Sequence, residues 1–102
     1  VTTRAQLDAR DHVQALDRER LLAAILTEAE AGEVAPCVEY PAGGWTAEEH
    51  DAQVAAARVC RVCPALDACA VYGIAHPGEH GVYGGMTAGD RRRAAASERA
   101  TA

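Results

Sequence analysis

The sequence predicts an all-α fold of four or five short helices, and three observations carry that expectation. Residues Ala5 to Ala31 contain neither glycine nor proline and are rich in Leu, Ala, Glu and Arg, all good helix formers. Beyond them, Pro and Gly punctuate the chain so closely that only short helices fit between the breaks. No segment shows the alternation of apolar and polar residues that marks a half-buried strand.

The first helix should end at Gly32, a suitable C-cap. Leu21, Leu22, Ile25, Leu26 and Ala29 form one apolar stripe, while Val13 and Leu16 fall on the far side. A break near Asp17, or two separate packing partners, is therefore expected. Ala35 to Trp45 carries two prolines and two glycines and reads as a loop containing Cys37. Thr46-Ala47-Glu48-Glu49 has the form of a capping box, predicting a second helix from Ala47 to about Cys60. Pro64 suits the first position of a third helix, with Cys63 as its N-cap and Cys69 inside it. A thiol at a helix N-terminus has its pKa lowered by the dipole. Pro77-Gly78 stops this helix near His76, the Gly-rich turn Gly81-Val82-Tyr83-Gly84-Gly85 follows, and Thr87 with Asp90 opens a last short helix through the arginines.

Composition limits what such helices can bury. The chain has 102 residues, no phenylalanine and one tryptophan, and alanine supplies much of its apolar fraction. Alanine removes little area from water, and domains of about 50 residues usually need a metal, disulfides or a partner. Lysine and asparagine are absent, the bias of a high-GC genome. With no apolar run of about 18 residues and no signal-peptide pattern, the chain reads as cytoplasmic, where thiols stay reduced. The net charge of −5 argues against a surface that grips nucleic acid throughout. Arg91, Arg92 and Arg93 nevertheless make a local basic patch near the end.

Cys37, Cys60, Cys63 and Cys69 are spaced C-x22-C-x2-C-x5-C. Two thiols separated by two residues can face one inorganic centre, with the others arriving from a loop and a helix. Zinc ribbons commonly repeat the two-residue spacing, and here the second interval is five. A disulfide framework lacks an oxidising compartment. Spacing alone leaves an iron–sulfur cluster and zinc both open.

Pro36-Cys37, Val59-Cys60-Arg61-Val62-Cys63-Pro64 with Cys69, and Gly81-Val82-Tyr83-Gly84-Gly85-Met86-Thr87 together resemble the WhiB-like (Wbl) family of actinobacteria and their phages. The resemblance implies a non-enzymatic, cytoplasmic transcription regulator whose four cysteines bind a [4Fe-4S] cluster sensitive to oxygen and nitric oxide. It also implies docking on the C-terminal domain of the primary sigma factor within RNA polymerase holoenzyme. On that basis residues 1–34 are an N-terminal helical extension, 35–93 the cluster-binding domain and 94–102 a C-terminal tail. The partner face would comprise Trp45, Gly81, Val82, Tyr83, Gly84 and Gly85. The family turn has tryptophan where this chain has Tyr83, a ring of smaller area.

Simpler roles stand beside these. Trp45 suits a hydrophobic staple, and Val82, Tyr83 and Met86 could plug the floor of the cysteine site. His50, His76 and His80 fit surface or capping positions better than ligation when four thiols are present. Arg91, Arg92 and Arg93 can meet phosphate but carry no base code, so promoter DNA is expected to be held only within the sigma complex. Two other functions are compatible with the cysteines: a structural zinc-binding interaction domain, and a thiol-disulfide oxidoreductase using Cys60 and Cys63. The absence of a βαβ pattern weighs against the second.

Overall fold

The structure, a computed structural model, describes residues 2–101. Val1 and Ala102, the outer ends of the extension and the tail, lie outside the described residues. The chain is 71% helical, with five helices and no strand among the described residues. They are α1 (Arg4–Glu30), α2 (Pro36–Glu39), α3 (His50–Val59), α4 (Leu66–Ala75) and α5 (Ala88–Thr101). Single 3-10 turns occupy Gly44–Thr46 and Cys60–Val62.

Helix α1 is unbroken, which corrects the expected interruption near Asp17. Thr3 and Gln6 form a reciprocal capping box at its start. At its end Gly32, at φ 88°, closes a Schellman motif in which the Gly32 and Glu33 amides donate to the Ala29 and Glu28 carbonyls. No second apolar partner is needed because α1 meets the protein along a narrow seam. Leu21 is its one buried residue, whereas Val13, Leu16, Leu22 and Leu26 remain exposed. Polar pairs complete the seam against α4 and the segment after it. Asp17 accepts from His76 at 2.7 Å, and Glu79 takes Arg18 at 2.9 Å together with Gln14.

Cys37 lies on one turn of helix, α2, rather than in an open loop: Pro36 fixes the first φ and the Ala35 carbonyl accepts from Val38 and Glu39. The capping box at Thr46 does not form, and α3 begins at His50 with Glu49 as an N-cap that makes no side-chain bond. Tertiary hydrogen bonds override the local signal. The Trp45 carbonyl accepts from the Val82 amide at 2.6 Å, and the Thr46 carbonyl bonds His80 Nε2 at 2.7 Å. Buried Gln53 then joins three segments: its Nε2 donates to the Ala47 and Glu48 carbonyls, and its Oε1 accepts from the Ala88 amide at the start of α5.

Helix α4 starts later than expected. Cys63-Pro64-Ala65-Leu66 makes a turn closed by the Leu66 amide on the Cys63 carbonyl, so Ala65 and not Cys63 is the N-cap. His76 ends α4 as foreseen. Thr87 and Asp90 bond each other's backbone amides at the start of α5, which continues past the arginines to Thr101. The apolar core is thin: Ala56, Ala57 and Val82, with Trp45 and Cys60 packed against them.

Leu21→Ala should lower stability by about 2–3 kcal/mol, read by urea denaturation, because it removes the apolar centre of the α1 seam. Glu79 gives that seam a pH dependence. Burial pushes its carboxyl up, but hydrogen bonds from Tyr72 and Arg18, the Arg18 charge and Gln14 outweigh burial and hold the pKa below the ordinary 4.5. A depressed carboxylate pKa contributes stability above the unfolded value and loses it as pH falls through the folded value. Glu79→Gln should therefore cost most near neutrality, and its melting temperature should converge with that of the parent in acid.

Candidate metal centre

All four cysteines are free thiols, and all four line one cavity. They arrive from separate elements. Cys37 sits on α2, Cys60 opens the 3-10 turn after α3, Cys63 follows that turn, and Cys69 lies inside α4. Ile25 of α1, Trp45, Leu66 and Val82 supply apolar walls. The enclosed space is about 30 Å³, roughly the share of one water in the liquid. Seating a multi-atom group would require the walls to part, and Cys37, on a single helical turn, is the one exposed cysteine of the four. Among the described residues no three Cys, His or carboxylate groups are arranged to hold a single ion.

The thiol chemistry follows from this enclosure. Burial pushes the Cys69 thiol up to about 11, against a 3.1 Å hydrogen bond from the Gly84 amide to its Sγ. Burial also raises Cys60, opposed by the Gly85 amide. Cys37 is exposed overall, yet enough protein surrounds its thiol for desolvation, aided by Cys63, to raise it. The lowering expected from a helix N-terminus does not govern Cys69, which lies one turn inside α4 and is shielded from water. A soft metal centre matches this donor set: four sulfurs, apolar walls and no carboxylate lining the cavity. Cys37, Cys60, Cys63 and Cys69 would hold it, and the Gly84 amide already donates to the Cys69 sulfur.

The Gly-rich turn explains why glycine is required beside the sulfurs. Gly84 has φ 61°, and a Cβ there would run into the backbone of Ala70 on α4. Gly81 has φ 108°, and a Cβ would meet the Trp45 carbonyl at 2.5 Å. Tyr83 and Met86 exchange backbone hydrogen bonds across the turn.

The residues assigned to a partner face occupy mixed positions. Trp45 is half-buried, with its indole N–H on the Tyr40 carbonyl at 2.8 Å. Val82 is only 7% exposed and belongs to the core. Tyr83 is half-buried, its ring 5.3 Å from Tyr72 and its hydroxyl bonded to Glu79. Burial, reinforced by the Glu79 charge, pushes the Tyr83 phenol up to about 12.

Arg91 departs most from expectation. It is 0% exposed, so it presents nothing to phosphate, while Arg92 and Arg93 remain at the surface and Arg93 pairs with Asp90. Adjacent residues on a helix point about 100° apart, so three consecutive arginines cannot share one face. Sequence reasoning also missed Gln53 and Glu79, whose roles depend on distant backbone, and Gly73. That last residue did carry a signal, since glycine inside a helix marks a close approach.

The fold and site define an all-helical protein with a four-thiol centre closed by a glycine turn. The family model described as Transcription factor WhiB matches residues 27–94, and the chain belongs to that family. No curated protein and no solved structure matches the chain. No described helix is long and apolar enough to cross a membrane.

Gly84→Ala should lose at least about 2 kcal/mol in urea denaturation, since it combines a left-handed backbone with a clash on α4. Alkylation of Cys69 should accelerate in the same variant as the turn lifts from α4.

Proposed function

We propose that this WhiB-family protein regulates transcription through a [4Fe-4S] cluster held by Cys37, Cys60, Cys63 and Cys69. One observation carries the reading: thiols from three stretches of backbone line a single apolar cavity in a chain with little other core. Bound, the cluster supplies redox and nitric-oxide reactivity. The protein's own residues supply the rest. Ile25, Trp45, Leu66 and Val82 restrict water, and the Gly84 and Gly85 amides stabilise charge on sulfur.

The output of the switch is partner docking. The surface we assign to the C-terminal domain of the primary sigma factor comprises the half-buried rings of Trp45 and Tyr83 and the turn residues Gly81, Val82, Gly84 and Gly85. Val82 shapes that surface from below. Without metal–thiolate links from the four cysteines, α2 and the turn of this thin-cored domain would be less firmly held, and with them the docking face. Promoter DNA is engaged within the holoenzyme complex, where Arg92 and Arg93 are the exposed basic groups of the cluster of three. The site of action is the cytoplasm, residues 35–93 carry the centre, and no catalytic residue is assigned.

Anaerobic purification with the sigma C-terminal domain tests this. A brown complex with iron and acid-labile sulfide near four each per chain is expected, with iron lost in Cys37→Ser and the complex weakened by Tyr83→Ala. A colourless zinc protein without iron would overturn the cluster, and a complex indifferent to cluster loss would overturn the switch.

A further inference from the structure

The burial of Arg91 leaves a cation with no surface role in the middle of the protein. Its Nη1 donates to the carbonyls of Gly73 at 3.2 Å and His76 at 3.1 Å, and its Nη2 to those of Glu79 and Gly81, the latter at 2.8 Å. The guanidinium carbon stands 5.1 Å from the Tyr83 ring centre. Its Nε, fully buried, has no partner. Burying a charge on neutral carbonyls while leaving one donor unpaired is costly for a side chain that only fills space.

The four carbonyls identify what that cost secures. Gly73 and His76 lie at the C-terminal end of α4, where a cation also meets the favourable end of the helix dipole. Glu79 and Gly81 lie on the segment leading into the glycine turn. One planar fork therefore joins the end of the helix carrying Cys69 to the entry of the turn carrying Gly84. Three residues beyond Gly81, the Gly84 amide donates to Cys69 Sγ. Gly73 gives the fork access: a Cβ there would meet Arg91 Cδ at 2.7 Å and Tyr83 Cβ at 2.8 Å. A glycine disfavoured inside a helix is thus explained by the approach of Arg91.

We infer that Arg91 is a positioning residue for the four-thiol centre: by clamping the end of α4 to the turn, it sets the Gly84 amide on the Cys69 sulfur and so tunes the group bound there. This rests on the cysteines being cluster ligands. An amide donor to a ligating sulfur stabilises the more reduced, more negative state, so weakening the donor moves the potential downward.

The test compares Arg91→Lys, which keeps the charge and loses the fork, with Ala95→Gly. Ala95 is buried on the same helix but lines a different cavity, with Ile74, Ala75 and Pro77. In the thiol form, Arg91→Lys should accelerate hydrogen exchange at the Gly84 amide by roughly tenfold or more, while Ala95→Gly stays within about twofold of the parent when compared at matched loss of thermal stability. In the loaded form only Arg91→Lys should shift the midpoint potential, to more negative values. Gly73→Ala displaces the fork without removing it and should reproduce the pattern, which keeps the test decisive if Arg91→Lys does not fold. Unchanged Gly84 exchange in Arg91→Lys, or equal acceleration in Ala95→Gly, would overturn the role of Arg91. If the parent takes up no iron, the cluster reading fails, and the exchange comparison still decides whether Arg91 holds the turn.

Discussion

Arg91 brings a full positive charge into a protein whose other buried side chains are alanines, single leucine, valine and tyrosine residues, and the polar Gln53 and Thr87. Apolar burial at about 25 cal/mol per Å² gains little from alanine, so the helices are joined chiefly by polar hubs that each serve several backbone segments. Arg91 ties α4, its exit and the glycine turn to α5. Gln53 ties the entry of α3 to the start of α5. Glu79 gathers Gln14 and Arg18 of α1 together with Tyr72 and Tyr83. Such hubs are demanding, because each leaves desolvated groups behind if one partner is lost.

The cysteine cavity is lined by Ile25, Trp45, Leu66 and Val82 and by none of these hubs. Burial raises the thiol pKa of Cys37, Cys60 and, to about 11, Cys69. A metal bound by these thiols would displace their protons, so its uptake would depend on pH. The two amides beside Cys69 and Cys60 offset part of that enclosure in favour of the thiolates. The same glycines that permit the turn thus place its donors against sulfur.

Much of this was legible in the sequence, and the exceptions have physical reasons. Helix content, the end of α4 at His76, the cap at Thr87 and the convergence of the cysteines follow from local chemistry and spacing. The capping box at Thr46 was a sound local signal that lost to the hydrogen bonds from Val82 and His80. The expected kink at Asp17 assumed that apolar residues must be covered, whereas α1 leaves Leu7, Val13, Leu16, Leu22 and Leu26 in water and docks partly through carboxylates. Arg91 looked like its neighbours because a run of arginines carries no phase information. Only the glycine at position 73, read together with it, would have marked the inward member.

The Schellman closure at Gly32 has a mechanical corollary. Chain reversal there leaves four residues between Gly32 and Cys37, so the anchored first helix acts as a short tether that keeps this thiol in the vicinity of the other three. Were the helix to swing away, Cys37 would be restrained only through the 22 intervening residues to Cys60, and its local concentration at the centre would fall with the longer span. An ordinary helix end thereby lets the N-terminal arm hold Cys37 near the other thiols, although Ile25 is its one side chain in the cavity wall.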